Sequence, residues 1–210
     1  MSDSFYESEK NKKISDHRAY IGGAWESIGA CQFNFMSLMG LRPQHTLIDV
    51  GCGSLRGGVH FISYLDSNCY YGTDVNKSLI ESGFEKELNE KNKSKVSLEN
   101  NFIASDDFNF NFNIEYFDYG IALSLFTHLS ENRIVECLNK LRKKFTDGGK
   151  FYASFFLPTS SFSSPTYPNR DPFHYNIEQM KIMAEKTNWN MKYIGDFKHP
   201  RGQHMLEFTV

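Results

Sequence analysis

The sequence of 210 residues has no long apolar run. Nothing in it approaches the roughly 18 consecutive apolar residues of a membrane span, and the opening MSDSFYESEKNKK is polar where a signal peptide would be apolar. A soluble, cytoplasmic protein without a membrane partner is expected. Paired cysteines are missing too: Cys31, Cys52, Cys69 and Cys137 are scattered without a C-x-x-C pair, which argues against a zinc site and a disulfide framework and fits a reducing compartment. The histidines lack an H-x-x-x-H pair, so no metal is expected. A net charge of -2 provides no general pull on a polyanion, and nucleic acid is not an expected partner. No internal repeat is visible. The Asn-x-Ser triplets at Asn76 and Asn92 are chance matches if the chain is not secreted.

What is present is enough apolar material for one core, with 40% hydrophobic and 15% aromatic residues. One domain over 20–210 is expected, preceded by a flexible segment over 1–19. Trp25, Ile28, Cys31, Phe35 and Leu38 recur at helical spacing, so 20–42 reads as a helical flap after the Gly22-Gly23 hinge. Strands are expected at 46–50, at 70–74, near Asn101 to Ala104, over Phe117 to Leu125, over Lys150 to Leu157, and near Met191 to Gly195 and Met205 to Thr209. Helices fall between them. Ile80, Phe84 and Leu88 form one stripe; Ile134, Leu138, Leu141 and Phe145 form another, capped by Ser130 and closed by Gly148-Gly149. The segment 89–101 reads as a loop around a weak strand near Val96 to Leu98. Residues 158–175 are rich in Ser and Pro and too long for a plain connection, which marks a lid. The alternation predicts an α/β fold, a doubly wound, Rossmann-like, seven-stranded and mostly parallel sheet with a C-terminal antiparallel hairpin.

The stretch Leu47 to Gly58, LIDVGCGSLRGG, runs from an apolar strand through a glycine turn into a helix. Such a turn lets backbone amides approach a ligand at a helix N-terminus. Three carboxylates, Asp49, Asp74 and Asp106, fall at the ends of successive strands, where open α/β sheets bind ligands. Together with DVGCGSLRGG and FDYGIALSLFTHL, this set resembles the class I S-adenosylmethionine-dependent methyltransferases over residues 20–210. The cofactor implied is S-adenosylmethionine, leaving as S-adenosylhomocysteine. By that resemblance Asp74 accepts from both ribose hydroxyls. Asp106, with Asp107 as its competitor, faces the adenine amino group, and Phe108 packs on the ring. Gly51, Cys52 and Gly53 border the amino-acid end, Asp49 favours its ammonium and the sulfonium, Arg56 meets its carboxylate, and Ser124 joins the cofactor set. Leu55 stands where the family pattern has its third glycine; Gly57 and Gly58 are the candidates to take over. A nicotinamide-dependent oxidoreductase is disfavoured, because G-x-G-x-x-G would need glycine where Arg56 stands and Asp49 would face a pyrophosphate.

On the acceptor side the candidate bases are His128, His174 and His199, since histidine titrates in the useful range. His128, in LFTHL, is either a base or a brace for its loop. Arg170, Asp171, Tyr175 and Arg201 are candidate acceptor contacts, and the two arginines suit a phosphate or carboxylate; Arg201 alternatively ties down the terminal loop. HRAYIGGAW, SLRGG, RDPFHY and HPRGQHM together resemble a subgroup of small bacterial methyltransferases associated with surface-polysaccharide or small-metabolite biosynthesis. That implies transfer to a sugar, phospho-sugar or related glycan precursor, with O-transfer favoured over N-transfer. An inactive cofactor-binding scaffold is the contrary reading.

Overall fold

The computed structural model describes residues 14–158 and 172–210. Seven strands form one sheet: β1 (Leu47–Val50), β2 (Tyr70–Asp74), β3 (Phe102–Ala104), β4 (Tyr119–Ala122), β5 (Lys150–Phe155), β6 (Asn190–Asp196) and β7 (His204–Thr209). Their order is β3-β2-β1-β4-β5-β7-β6. The first five are parallel, and β7 enters antiparallel between β5 and β6. This is the doubly wound sheet with a terminal hairpin expected from the alternation of strands and helices.

All four residues of β1 are buried, as a central parallel strand covered on both faces requires. Ile48 and Val50 face one core, with Phe151, Phe208 and the helices Glu131–Arg142 and Ile177–Lys186; Leu47 faces the other, with Phe61, Ile121 and the helix Trp25–Leu38. The alternation of side chains along a strand thus divides the interior into two layers. In the helix Glu131–Arg142 the residues Ile134, Leu138 and Leu141 are fully buried, each contributing about 1.5–3 kcal/mol. The chain order reverses between β2-β1 and β4-β5, so a crevice opens at the carboxyl ends of β1 and β4.

Two local expectations are corrected. The weak strand near Val96 to Leu98 does not form; the segment instead makes two helical turns, Glu90–Lys93 and Leu98–Asn101, capped by the side chains of Asn89 and Ser97. Capping chemistry, not apolar content, organises this stretch, and the buried Asn101 ties it down by donating to the Tyr70 carbonyl at 3.0 Å. The fourth strand is shorter than Phe117 to Leu125, because Ser124 takes φ +60 and the chain turns into the 3₁₀ segment Phe126–His128. Running from the expected flexible segment 1–19 into the flap, His17–Tyr20 forms a helical turn whose Asp16 cap accepts from the Ala19 amide. Most of the expected lid, including Arg170 and Asp171, lies outside the described residues.

Candidate functional site

The turn after β1 is built by its own backbone. Gly51 takes φ +79, and its amide and that of Cys52 both donate to the Thr73 carbonyl, at 2.8 and 2.9 Å. A Cβ on Gly51 would stand 3.2 Å from the Leu125 side chain, so glycine serves both conformation and space there. Leu55, at the place of the family's third glycine, adopts φ +67 itself. Gly57 takes no positive φ; a Cβ there would collide with the Gln32 side chain, so its role is close packing and not replacement of the missing glycine.

Asp74 closes this turn from β2. One carboxylate oxygen accepts from the Gly53 amide and the other from the Asn76 amide, both at 2.9 Å, which fixes the group at the mouth of the crevice. Asp49 lies deeper. It is buried and accepts from the Tyr70 hydroxyl at 2.9 Å. Burial pushes its pKa up to about 7 against the opposing Tyr70 hydrogen bond; the Asp74 charge adds to the rise and Arg56 opposes it. Cys52 is buried, and burial raises its thiol well above the ordinary range.

A cavity of about 300 Å³ is lined by Asp49, Gly51, Cys52, Gly53, Asp74 and Ser124, and also by Tyr20, Gly22, Gln32, Arg56, His128 and Arg201. A second, of about 70 Å³, shares Gly51, Asp74 and Leu125 with it and extends to Asp106, Phe108 and Arg133. Phe108 sits at φ +51 with the Arg133 guanidinium 4.5 Å above its ring, and Arg133 donates to the Asp106 carbonyl. Asp106 therefore lines the cleft. Asp107 turns outward, where a hydrogen bond from Ser105 holds its pKa below the usual range.

The rim is assembled from distant parts of the chain. Arg56 is buried and donates to the carbonyls of Ile21, at 3.2 Å, and Gly23, at 2.9 Å; Arg201 donates to the Gly22 carbonyl. A Cβ at Gly22, φ +87, would lie 2.7 Å from the Arg201 guanidinium. Burial lowers Arg56 to about 10, with Arg201 adding and Asp49 opposing, so it stays charged near neutral pH. The helical turn leading into the flap is held by Glu87, which pairs with Arg18 at 2.5 Å and His17 at 3.2 Å. Ser124 is fixed by β5 and by the loop before β7: its amide donates to Ser154 at 2.7 Å, and its hydroxyl bonds the buried Gln203 at 3.1 Å.

The candidate bases separate. His128 is exposed and lines the larger cavity. His174 stacks on Phe156, ring centroids 5.2 Å apart, and lies on neither cavity. His199 is buried behind the rim, accepting from the Arg201 amide at 3.2 Å; burial, then Arg56 and Arg201, push its pKa down to about 4, so it is neutral. Tyr175 is buried in the core and donates to the Leu129 carbonyl at 2.8 Å. Sequence reasoning missed Gln32, Leu79, Leu123, Leu125 and Arg133. Gln32 had a signal: it is a polar residue between Ile28 and Met36 on the buried face of its helix.

No protein-family model matches the chain. Among solved structures, the CcbJ methyltransferase of Streptomyces caelestis superposes with a TM-score of 0.70 at 11% identity, over 96% of this chain and 98% of that one. The fold is that of the class I methyltransferases. Magnesium protoporphyrin IX methyltransferase from Synechocystis PCC 6803, with bound S-adenosylhomocysteine, matches at a TM-score of 0.63 and 12% identity, over 99% of this chain and 94% of that one. Phosphoethanolamine N-methyltransferase 1 of Haemonchus contortus gives 0.64 and 14%, over 99% of this chain and 48% of its own length. Identities at this level carry the methyltransferase fold and no more. Among the described residues, no helix is long and apolar enough to cross a membrane, and no group of three or more His, Cys, Asp and Glu is placed to hold a metal ion.

Proposed function

We propose that the protein transfers a methyl group from S-adenosylmethionine to a small polar acceptor. The observation that carries this reading is that two cavities meet at Asp74, a carboxylate fixed between two amides at the end of β2. The smaller, flanked by Phe108 and Asp106, suits a flat base with an amino group. The larger, with Asp49, Arg56 and the Gly51 and Gly53 backbone, suits a zwitterionic amino-acid end. Asp74 between them suits the paired ribose hydroxyls, because an ionised carboxylate accepts several hydrogen bonds at once.

When bound, the donor supplies an activated methyl group whose departure leaves a neutral thioether. The protein's part is alignment and, where the acceptor requires it, removal of a proton. His128 is the histidine whose exposure on the larger cavity supports the role of base; Ser124, held by Gln203 and Ser154, lines the same cavity as Asp74. Arg170 and Asp171 remain acceptor-side candidates on their sequence context alone, and the burial of Tyr175 in the core does not support that role for it. A nicotinamide cofactor is disfavoured by Arg56 and the buried Asp49 beside the turn.

The acceptor we favour is a sugar, phospho-sugar or related precursor of a bacterial surface polysaccharide in the cytoplasm, methylated on oxygen in preference to nitrogen. Its support is the motif set HRAYIGGAW, SLRGG, RDPFHY and HPRGQHM. The test is incorporation of labelled methyl from S-adenosylmethionine into a panel of such acceptors, with wild type and His128→Ala side by side. Transfer that falls and loses its histidine-like pH dependence in the variant makes His128 the base; transfer with an unchanged pH profile makes it a brace. Tight binding of S-adenosylhomocysteine with no transfer across the panel would favour the scaffold reading.

A further inference from the structure

Arg56 and Arg201 are two guanidinium groups on one cavity, and among the described residues neither has a carboxylate partner. Their hydrogen bonds go to the backbone carbonyls of Ile21, Gly22 and Gly23. Arg56 is 7% exposed and its Nε has no hydrogen-bond partner; the adjoining His199 is 5% exposed, and its Nε2 likewise has none. A guanidinium carries five donors, and unmet buried donors cost free energy that a bound acceptor atom recovers. Arg201 stands at the exposed mouth, with Arg56 behind it.

The charge balance of the cavity points the same way, and here the inference rests on the methyl-transfer reading. Among the described residues, the carboxylates lining the cavity are Asp49 and Asp74. Burial raises the pKa of Asp49 to about 7, and even with both carboxylates ionised they carry no more charge than the two arginines. The donor adds a sulfonium and an ammonium against a single carboxylate. The loaded site is therefore net positive, and an acceptor bearing negative charge neutralises it where a neutral or cationic one does not.

We propose that Arg201, backed by Arg56, forms an oxyanion site for the acceptor, which therefore carries a carboxylate or a phosphate. The planar fork of Arg201 suits paired oxygens, while the donor's own carboxylate needs only Arg56. Gly22 is part of the device, since its missing side chain lets the Arg201 guanidinium lie against the flap.

The experiment is titration of the full chain with inorganic phosphate at matched chloride ionic strength, with and without saturating S-adenosylhomocysteine, in wild type, Arg201→Gln and Arg201→Lys. Phosphate is expected to bind the S-adenosylhomocysteine complex, and Arg201→Gln to weaken it at least about tenfold, with Arg201→Lys between. S-adenosylhomocysteine affinity should stay unchanged, and unliganded melting temperatures of the variants report any folding defect. If S-adenosylhomocysteine displaces phosphate, and Arg201→Gln weakens S-adenosylhomocysteine but not methylthioadenosine, which lacks the amino-acid end, the site serves the donor and the acceptor assignment is overturned. Absence of phosphate binding in both states overturns the oxyanion site altogether. Failure of S-adenosylhomocysteine to bind wild type is a separate result: it removes the methyl-transfer reading, and the phosphate titration of free protein still decides whether Arg201 holds an oxyanion.

Discussion

The glycine turn and the rim of this cleft are built in opposite ways. At the glycine turn, Gly51, Cys52 and Gly53 follow β1 and Asp74 ends the adjacent parallel β2, and the turn is closed by amides donating to the Thr73 carbonyl and the Asp74 carboxylate. At the rim, residues 20–24 and the loop before β7 meet from opposite ends of the chain, joined by arginine side chains reaching backbone carbonyls. The first is part of the sheet and opens only with it. The second is a clasp of a few hydrogen bonds that can open alone, as ligand-gating segments do.

If that contrast holds, changes at the glycine turn should be large and changes at the rim small. Asp74→Ala should weaken S-adenosylhomocysteine binding by about 100-fold, as loss of paired charge-assisted hydrogen bonds does, measured by titration calorimetry. Asp49 should govern a pH dependence of stability. Its folded pKa of about 7 exceeds the ordinary 3.8, so the native state keeps a proton that the unfolded chain has lost. The stability this contributes is fully present below about pH 4 and is lost as pH rises through about 7, on the order of a few kcal/mol. Asp49→Asn, which retains an acceptor for Tyr70, should flatten that slope in denaturant unfolding across the same range. At the rim, Gly22→Ala should cost only about 1 kcal/mol, because Arg201 is a flexible neighbour and the strain is local to φ +87. Glu87→Gln, which keeps an oxygen for Arg18 but removes the charge of a side chain only 8% exposed, should lower the melting temperature by an amount that added salt changes little. A rim substitution that melts the whole chain would erase the distinction.

The same contrast explains what could be read in the sequence. The strand-turn-helix at 47–58 and the carboxylates Asp49, Asp74 and Asp106 at the ends of β1, β2 and β3 were legible because their spacing is local: side-chain alternation sets burial, and open α/β sheets bind ligands at strand ends. The rim was not legible as geometry. Nothing local says that Arg56 reaches Ile21 and Gly23, or that Arg201 lies on Gly22, since those contacts depend on where the terminal hairpin folds. His199 illustrates the same limit; its motif read as acceptor chemistry, yet burial beside two arginines keeps it neutral behind the rim. Arg133 was missed because its approach to Phe108 requires the packing of its helix against the loop after β3. The two helical turns at 90–93 and 98–101 were legible in principle from their Asn and Ser caps, but low apolar content obscured them.

The central claim is that this cleft takes a methyl donor through Asp74. The most direct measurement is thermal unfolding of wild type and Asp74→Ala with S-adenosylhomocysteine or NAD. At 100 times its dissociation constant, a ligand binding only the native state contributes about 2.7 kcal/mol, a rise of roughly 5–11 °C for a chain of this size. The account predicts that rise with S-adenosylhomocysteine for wild type and its loss at the same concentration in Asp74→Ala. A shift with NAD alone, or an S-adenosylhomocysteine shift that survives Asp74→Ala intact, would contradict it.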